Sequence, residues 1–386
     1  MAHGQHPGSA PQAPLNPGVS GGGAAGAAGP GSGGGTSGER APREKAGAII
    51  LDKNRQSAKR LARVLVSAGY SVKTFEDESA QALWATISRE PELNSWLIVA
   101  DVALAPTLYA VLSRPEARRS CRGVVYCGFS VATGATGSAP APATAATEDV
   151  DVAAVCEQQG VVALLNARCT RDFEAQLLGI ANYLRGQPLL PLQAFLMWGA
   201  AAYSTHISNI GGRDAAEARI VKLCSDQLSV SSRIANSIGE VVHELLTNAM
   251  YDAPVDAQGK AVYAHDRTAP IQLNAEDRVT FRYGTDGMRL VAETSDRFGR
   301  LRRGDFVRSV RRAAVGQVNR AEGGAGIGLS MIYRTAQLMQ VDVDPGQRTR
   351  VTAVFDLEAA RSTDGGRAAR TIIFPDLTTA SGRRDP

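Results

Sequence analysis

Between Ala46 and Leu184, short runs of consecutive apolar residues alternate with segments whose apolar residues recur every three or four positions. That alternation limits the fold more than any other feature of the chain. Ile49-Ile50-Leu51 is a run closed by Asp52, Trp96 to Ala100 a run closed by Asp101, and Val124-Val125-Tyr126 and Val161 to Leu165 are two more. Tyr70 to Phe75 alternates as a strand. Asn54 to Ala68 carries Ala58, Leu61, Val64, Leu65 and Ala68 at helical spacing before Gly69, and Ser79 to Ile87 and Asp172 to Leu184 read as further helices. Strands alternating with helices predict a parallel sheet with crossover helices, a flavodoxin-like α/β domain over residues 46–185. Val131 to Glu148, rich in Ala, Thr, Gly and Pro, reads as a flexible excursion from it.

Residues 1–45 hold 13 of the 40 glycines and 6 of the 18 prolines, with Leu15 and Val19 as the sizeable apolar side chains past Met1. Such a stretch buries too little apolar surface to offset the entropy of ordering, so a disordered tail is expected there, and a second, polar one over 361–386. The remainder is long enough for about two domains. A net charge of +4 is too mild to make nucleic acid the expected partner. Five cysteines without a CxxC pair fit reduced thiols, no run approaches the length of a membrane span, and a cytoplasmic protein is expected. Leu189 to Tyr203, interrupted by Pro191, Gln193 and Gly199, reads as a buried or partner-facing helix.

Beyond Leu189 the pattern changes to longer helices, with connecting helices expected over 186–230. Ile234 to Met250 carries Ile238, Val241, Val242, Leu245, Leu246 and Ala249 on one side, while Glu240, Glu244, Asn248 and Asp252 follow one another at steps of four. A carboxylate one turn from a carboxamide suits a site where the amide oxygen coordinates Mg²⁺ and the carboxylate orients or deprotonates a nucleophile. The same spacing also fits a solvated helix face. Val279 to Tyr283 and Met288 to Glu293, joined through Thr285-Asp286-Gly287, predict a hairpin, and Asp296 emerges at its end. Gly323 to Leu329 then opens a helix containing Ile332, Ala336 and Met339. Glycines at 324, 326 and 328 allow a phosphate to approach the backbone at a helix N-terminus, although a plain loop reads the same way. A last strand covers Arg350 to Leu357. Helices followed by antiparallel strands predict an α+β two-layer sandwich. Residues 297–320 concentrate eight arginines against Asp305 alone.

The first half resembles the receiver domain of two-component response regulators, through Asp52 closing the first strand, Gly69-Tyr70-Ser71-Val72, and Asp101 closing the third. The resemblance implies an acidic Mg²⁺ position at Asp52 and a phosphoacceptor at Asp101. Receivers carry a second acidic residue where this chain has Lys53, a Lys where it has Leu165-Asn166-Ala167, and a hydroxyl residue near Cys127. These departures favour a pseudo-receiver that docks or regulates.

The second half, over about 200–358, resembles the GHKL ATPase superfamily shared by gyrase and the histidine kinases. The resemblance rests on Glu244-Leu245-Leu246-Thr247-Asn248-Ala249, Asp296 with Gly299, and the glycine cluster about 75 residues after the first box. It implies that ATP with Mg²⁺ is the cofactor, that Asn248 binds Mg²⁺, and that Glu244 is the catalytic base. It further implies that Asp296 recognises the adenine amino group with Thr349 beside it, that Gly324, Gly326 and Gly328 surround the phosphates, and that the Arg-rich stretch is a lid. Asp252, four after Asn248, stands where the similar anti-sigma-factor serine kinases usually have His. Phe298 stands where the family has a glycine, and its ring is expected to narrow the pocket or cap the adenine.

A pseudo-receiver (46–185) joined to a histidine kinase-like ATPase domain (231–360) implies a signalling protein. Its expected partners are proteins of such a pathway: a sensor kinase, a response regulator, or anti-sigma and anti-anti-sigma proteins, with a homodimer also compatible. Two other readings stand beside it. One is a non-catalytic scaffold; the other is an atypical histidine kinase, which has His243-Glu244 only within the nucleotide helix and no acidic neighbour after His206.

Overall fold

The computed structural model describes residues 46–75, 80–89, 96–128, 151–166, 170–264, 267, 270–315, 327–358 and 371–375. The head at 1–45, the excursion at 131–148 and Gly323 to Gly326 lie outside the described residues.

Strands β1 (Gly47–Leu51), β2 (Ser71–Phe75), β3 (Trp96–Asp101), β4 (Cys121–Cys127) and β5 (Val161–Leu165) are parallel, in the order β2-β1-β3-β4-β5. Helix α1 (Arg55–Ser67) starts where Asn54 accepts the N–H groups of Gln56 and Ser57 at 3.0 and 3.1 Å. Between the strands lie α2 (Ala80–Arg89), α3 (Ala105–Leu112), α4 (Pro115–Arg119) and α5 (Val152–Glu157), with α6 (Thr170–Tyr183) after the last. Successive strand side chains point to opposite faces, so a doubly covered sheet needs unbroken apolar runs. Ile50, Val99 and Val125 pack with Leu61 and Leu65 of α1 and Leu177 of α6, whereas Ile49, Ile98 and Val124 pack with Leu83, Leu108 and Val155.

The second half builds antiparallel strands β6 (Ala202–Ile207), β7 (Val279–Thr285), β8 (Arg289–Asp296), β9 (Leu338–Asp344) and β10 (Arg348–Asp356), in the order β9-β10-β8-β7-β6. Asp286 Oδ1 closes the β7–β8 turn by accepting the N–H groups of Met288 and Arg289 at 3.0 and 2.7 Å. Helices α7 (Ile210–Lys222), α8 (Ser232–Thr247), α9 (Arg303–Val315) and α10 (Ile327–Thr335) contribute Ile220, Ile238, Leu246, Phe306 and Ile332 to the same core. No helix among the described residues is long and apolar enough to cross a membrane.

Several segments differ from the sequence expectation. Within 361–386, expected to be a loose tail, Thr371–Ile373 forms β11, which pairs antiparallel with β5 and parallel with β9. Ile372, Ile373 and Phe374 are buried, because β5 and β9 would otherwise leave two unpaired edges facing each other. The result is one eleven-stranded sheet running through both halves. Leu189 to Tyr203 is not a helix: a short 3₁₀ turn at Leu192–Phe195 buries Leu192 and Phe195, and β6 follows as a sheet edge within the expected run of connecting helices. Helix α10 stops at Thr335, so Met339 sits on β9; Gln337 N–H already donates to Val354 carbonyl at 2.8 Å.

One arginine of the Arg-rich stretch is built into the fold. Arg303 donates Nη1 to the carbonyl of Val161 at 3.0 Å and Nη2 to those of Cys156 and Gln158 at 2.5 and 2.7 Å. Its guanidinium carbon also lies 4.9 Å from the centre of the Phe374 ring. Burial lowers the Arg303 pKa to about 10, which leaves it charged at neutral pH. Replacing Arg303 with methionine should remove the guanidinium donor from all three carbonyls, of which that of Gln158 keeps the Val161 N–H, and destabilise the fold by about 3 kcal/mol, read by chemical denaturation. A change within experimental error would show that the three bonds contribute nothing net.

Candidate functional site

Helix α8 holds its apolar side against the sheet, which turns Glu244 and Asn248 toward α10. After Thr247 the backbone widens into a π turn, Asn248–Asp252, which fully buries Tyr251 and changes the phase of the four-residue repeat. Glu240 remains exposed, whereas Asn248 and Asp252 line a cavity of about 410 Å³. Its other walls include Ala249, Leu245, Leu301, Leu329 and Val351, with Asp296, Thr349, Arg300 and Arg302 adding polar groups.

Asp296 is the buried acid of the cavity. It pairs with Thr349 across β8 and β10, and its Oδ1 accepts the N–H of Phe298 at 2.8 Å. Burial raises its pKa to about 6, although hydrogen bonds from Phe298, Gly299 and Thr349 pull the other way. The turn that carries these amides needs glycine at 299: φ is +60°, and a Cβ would collide with the Asp344 carbonyl and lie 2.7 Å from Gly346 N. Phe298 is buried, with Arg297 over its ring at 5.8 Å, and is not part of the cavity wall. The expectation that its ring narrows the pocket or caps a ligand is therefore corrected.

Beside the Asn248 wall, Gly328 at the start of α10 abuts Glu244 and Asn248. A Cβ there would overlap Glu244 Oε2 and lie 2.8 Å from Asn248 Nδ2. Glu244 Oε2 and Asp252 Oδ1 are buried without a hydrogen-bond partner among the described residues. Burial raises the pKa of Glu244, with Asp252 adding to it and the neighbouring Arg267, His243 and Arg213 opposing it. Asp252 is raised by burial too, against its ion pair with Arg267. Arg267 had no motif to mark it, since it lies in a polar stretch fifteen residues beyond Asp252.

Of the remaining arginines, Arg297 pairs with Glu276 and Asp277 at 3.1 and 3.2 Å, Arg308 pairs with Asp305, and Arg311 with Glu157. Arg300 and Arg302 are the ones that border the cavity. Gly324 and Gly326 lie outside the described residues.

The parallel half brings its two candidate acids to one end of the sheet. Asp52 follows β1, and Asp101 closes β3 opposite Cys127 of β4. Asp52 Oδ1 accepts the N–H of Asn54 and Asp101 Oδ1 that of Ala103, each at 2.8 Å. The Cys127 thiol is pushed well above its ordinary range by burial, then by the charges of Asp52 and Asp101. Among the described residues these acids do not join a third ligand within metal-binding reach.

No protein-family model matches the chain, and no curated protein matches it. Among solved structures, a chain of the SiaB–SiaC complex from Pseudomonas aeruginosa matches 40% of this chain and 88% of its own length, with 14% identity and a TM-score of 0.27.

Proposed function

We propose that the chain binds ATP with Mg²⁺ in the cavity between α8, α10 and strands β8 and β10, and uses it to phosphorylate or switch a protein partner in a signalling pathway. One observation carries the reading: a single cavity is lined by a buried acid, Asp296, by Asn248, and by Asp252, whose Oδ1 is buried without a partner among the described residues. The apolar walls suit a planar base, and Asp296 with Thr349 suits the exocyclic amino group of adenine.

The oxygen-only donor set fits Mg²⁺, with the Asn248 amide oxygen as its protein ligand. When bound, the metal supplies positive charge to the phosphates. Glu244 holds the proton-accepting role: its raised pKa makes it a stronger base toward a serine or threonine hydroxyl or a water. Arg300 and Arg302 supply guanidinium groups to the phosphates. The glycine run to Gly328 lets the triphosphate approach the α10 amides, with Gly324 and Gly326 in the same role. The Asp52 and Asp101 end of the sheet would then regulate or dock, with Asp101 as its acceptor position if that end is phosphorylated.

Titration of the full chain with ATP and Mg²⁺ tests the reading. Saturable binding is expected, weakened at least about tenfold by Gly328→Ala, whose methyl would take the space between Glu244 and Asn248. No binding by a folded wild-type chain would leave the scaffold reading in its place.

A further inference from the structure

A second constellation of ligand-type side chains lies outside the cavity. Asp214 and Glu217 stand three apart on α7, so they share a helix face, and His243 projects from α8 toward them. One ligand atom from each can be chosen so that all three lie within 4.8 Å of one another. His243 Nδ1 is 2.8 Å from Glu217 Oε2, and both side chains are about one-third exposed, enough for an ion to enter.

The closeness has a structural cause. At Gly239, one turn before His243, a Cβ would collide with Val221 Cγ2 and reach Glu217 Cγ at 3.6 Å. The missing side chain lets α7 and α8 approach and brings the imidazole against the carboxylate. Arg213 holds Asp214 Oδ1 at 2.9 Å, the kind of outer contact that orients a ligating carboxylate. Asp214 and Glu217 also line a cleft with Ala218, Val221, Lys222 and Ser225, apart from the nucleotide cavity.

We propose that Asp214, Glu217 and His243 form a binding site for a divalent transition-metal ion of the Zn²⁺ class. An imidazole nitrogen with two carboxylates suits Zn²⁺ better than Mg²⁺, which prefers oxygen alone, and three protein ligands leave a position for water. The ion would cross-link α7 to α8 one residue before Glu244. The site does not depend on nucleotide binding.

Nucleotide-free full-length chain titrated with Zn²⁺, and with Co²⁺ as a spectroscopic probe, tests the proposal. One saturable site is expected, with visible Co²⁺ absorption typical of a low-coordinate nitrogen and oxygen set. His243→Ala should abolish that absorption, and Glu217→Gln, which keeps the side chain's size, should weaken Zn²⁺ binding about 10- to 100-fold. Circular dichroism of both variants separates loss of ligand from loss of fold. Binding unchanged in both, as for an ion held by His3 and His6, or no binding at all, would overturn the assignment.

Discussion

Replacing Asp296 with asparagine should reduce ATP affinity about 100-fold or more while leaving the protein at least as resistant to unfolding as the wild type. Both parts follow from one buried carboxylate. Phe298, Gly299 and Thr349 all bring hydrogen bonds to Asp296, and an acceptor-only carboxylate can share those sites with an incoming amino group. An asparagine has one acceptor oxygen, which the backbone amides claim, so its own amide N–H groups face the adenine amino donor.

Stability moves the other way. An unfolded aspartate titrates near 4, whereas Asp296 in the fold titrates at about 6, so between these values the unfolded chain releases its proton first and stability falls as pH rises. Above about pH 6 the full penalty, on the order of 3 kcal/mol, applies, and a neutral side chain removes it. Wild-type ATP affinity should in turn weaken as pH drops through about 6 and Asp296 takes up its proton. Thermal denaturation beside ATP titration measures both. A variant with a clearly lowered Tm would mean that Asp296 is a structural acid, kept for its turn rather than for a ligand.

The elements legible in the sequence are local ones, and those that are not legible depend on distant partners. The α8 stripe and the Asp286-Gly287 turn each carry their own pattern, so both elements were legible within three residues of their observed ends. The spacing of Glu244 and Asn248 was legible for the same reason. Glu240 was not, because it lies one turn before Glu244 where the cavity wall, which begins at Leu245, does not reach, and nothing in the residue types announces that limit. Strand β11 is three residues long, and its partners lie more than 30 residues away on one side and about 200 on the other. No window around Thr371 contains the two open edges that make it a strand. Arg303 looked like one arginine among eight; the three carbonyls that define its role belong to residues 156–161. Ile332, Ala336 and Met339 satisfy helical spacing, yet pairing with β10 begins at Leu338 and ends the helix earlier.

Substituting glutamine for Glu244 should separate chemistry from binding. Glu244 lies beside Gly328, as Asn248 does, with Oε2 buried and unpartnered among the described residues. Glutamine has nearly the same volume and keeps an oxygen there, so the cavity and its affinity for Mg-ATP should persist. It cannot take a proton from a hydroxyl, so hydrolysis or transfer to a partner serine or threonine should fall about 100- to 10,000-fold. In the wild type the rate should rise with pH as Glu244 ionises, at a value above the usual carboxylate range because burial disfavours its charge. The variant should lose that dependence along with the rate. Unchanged turnover in Glu244→Gln would take the base role away from Glu244 and point to Asp252, the other buried carboxylate with an unpartnered oxygen. Nucleotide bound tightly by both proteins and turned over by neither would instead make the bound state itself the signal, with Arg300 and Arg302 reporting nucleotide to α9 and, through Arg303, to the parallel half of the sheet.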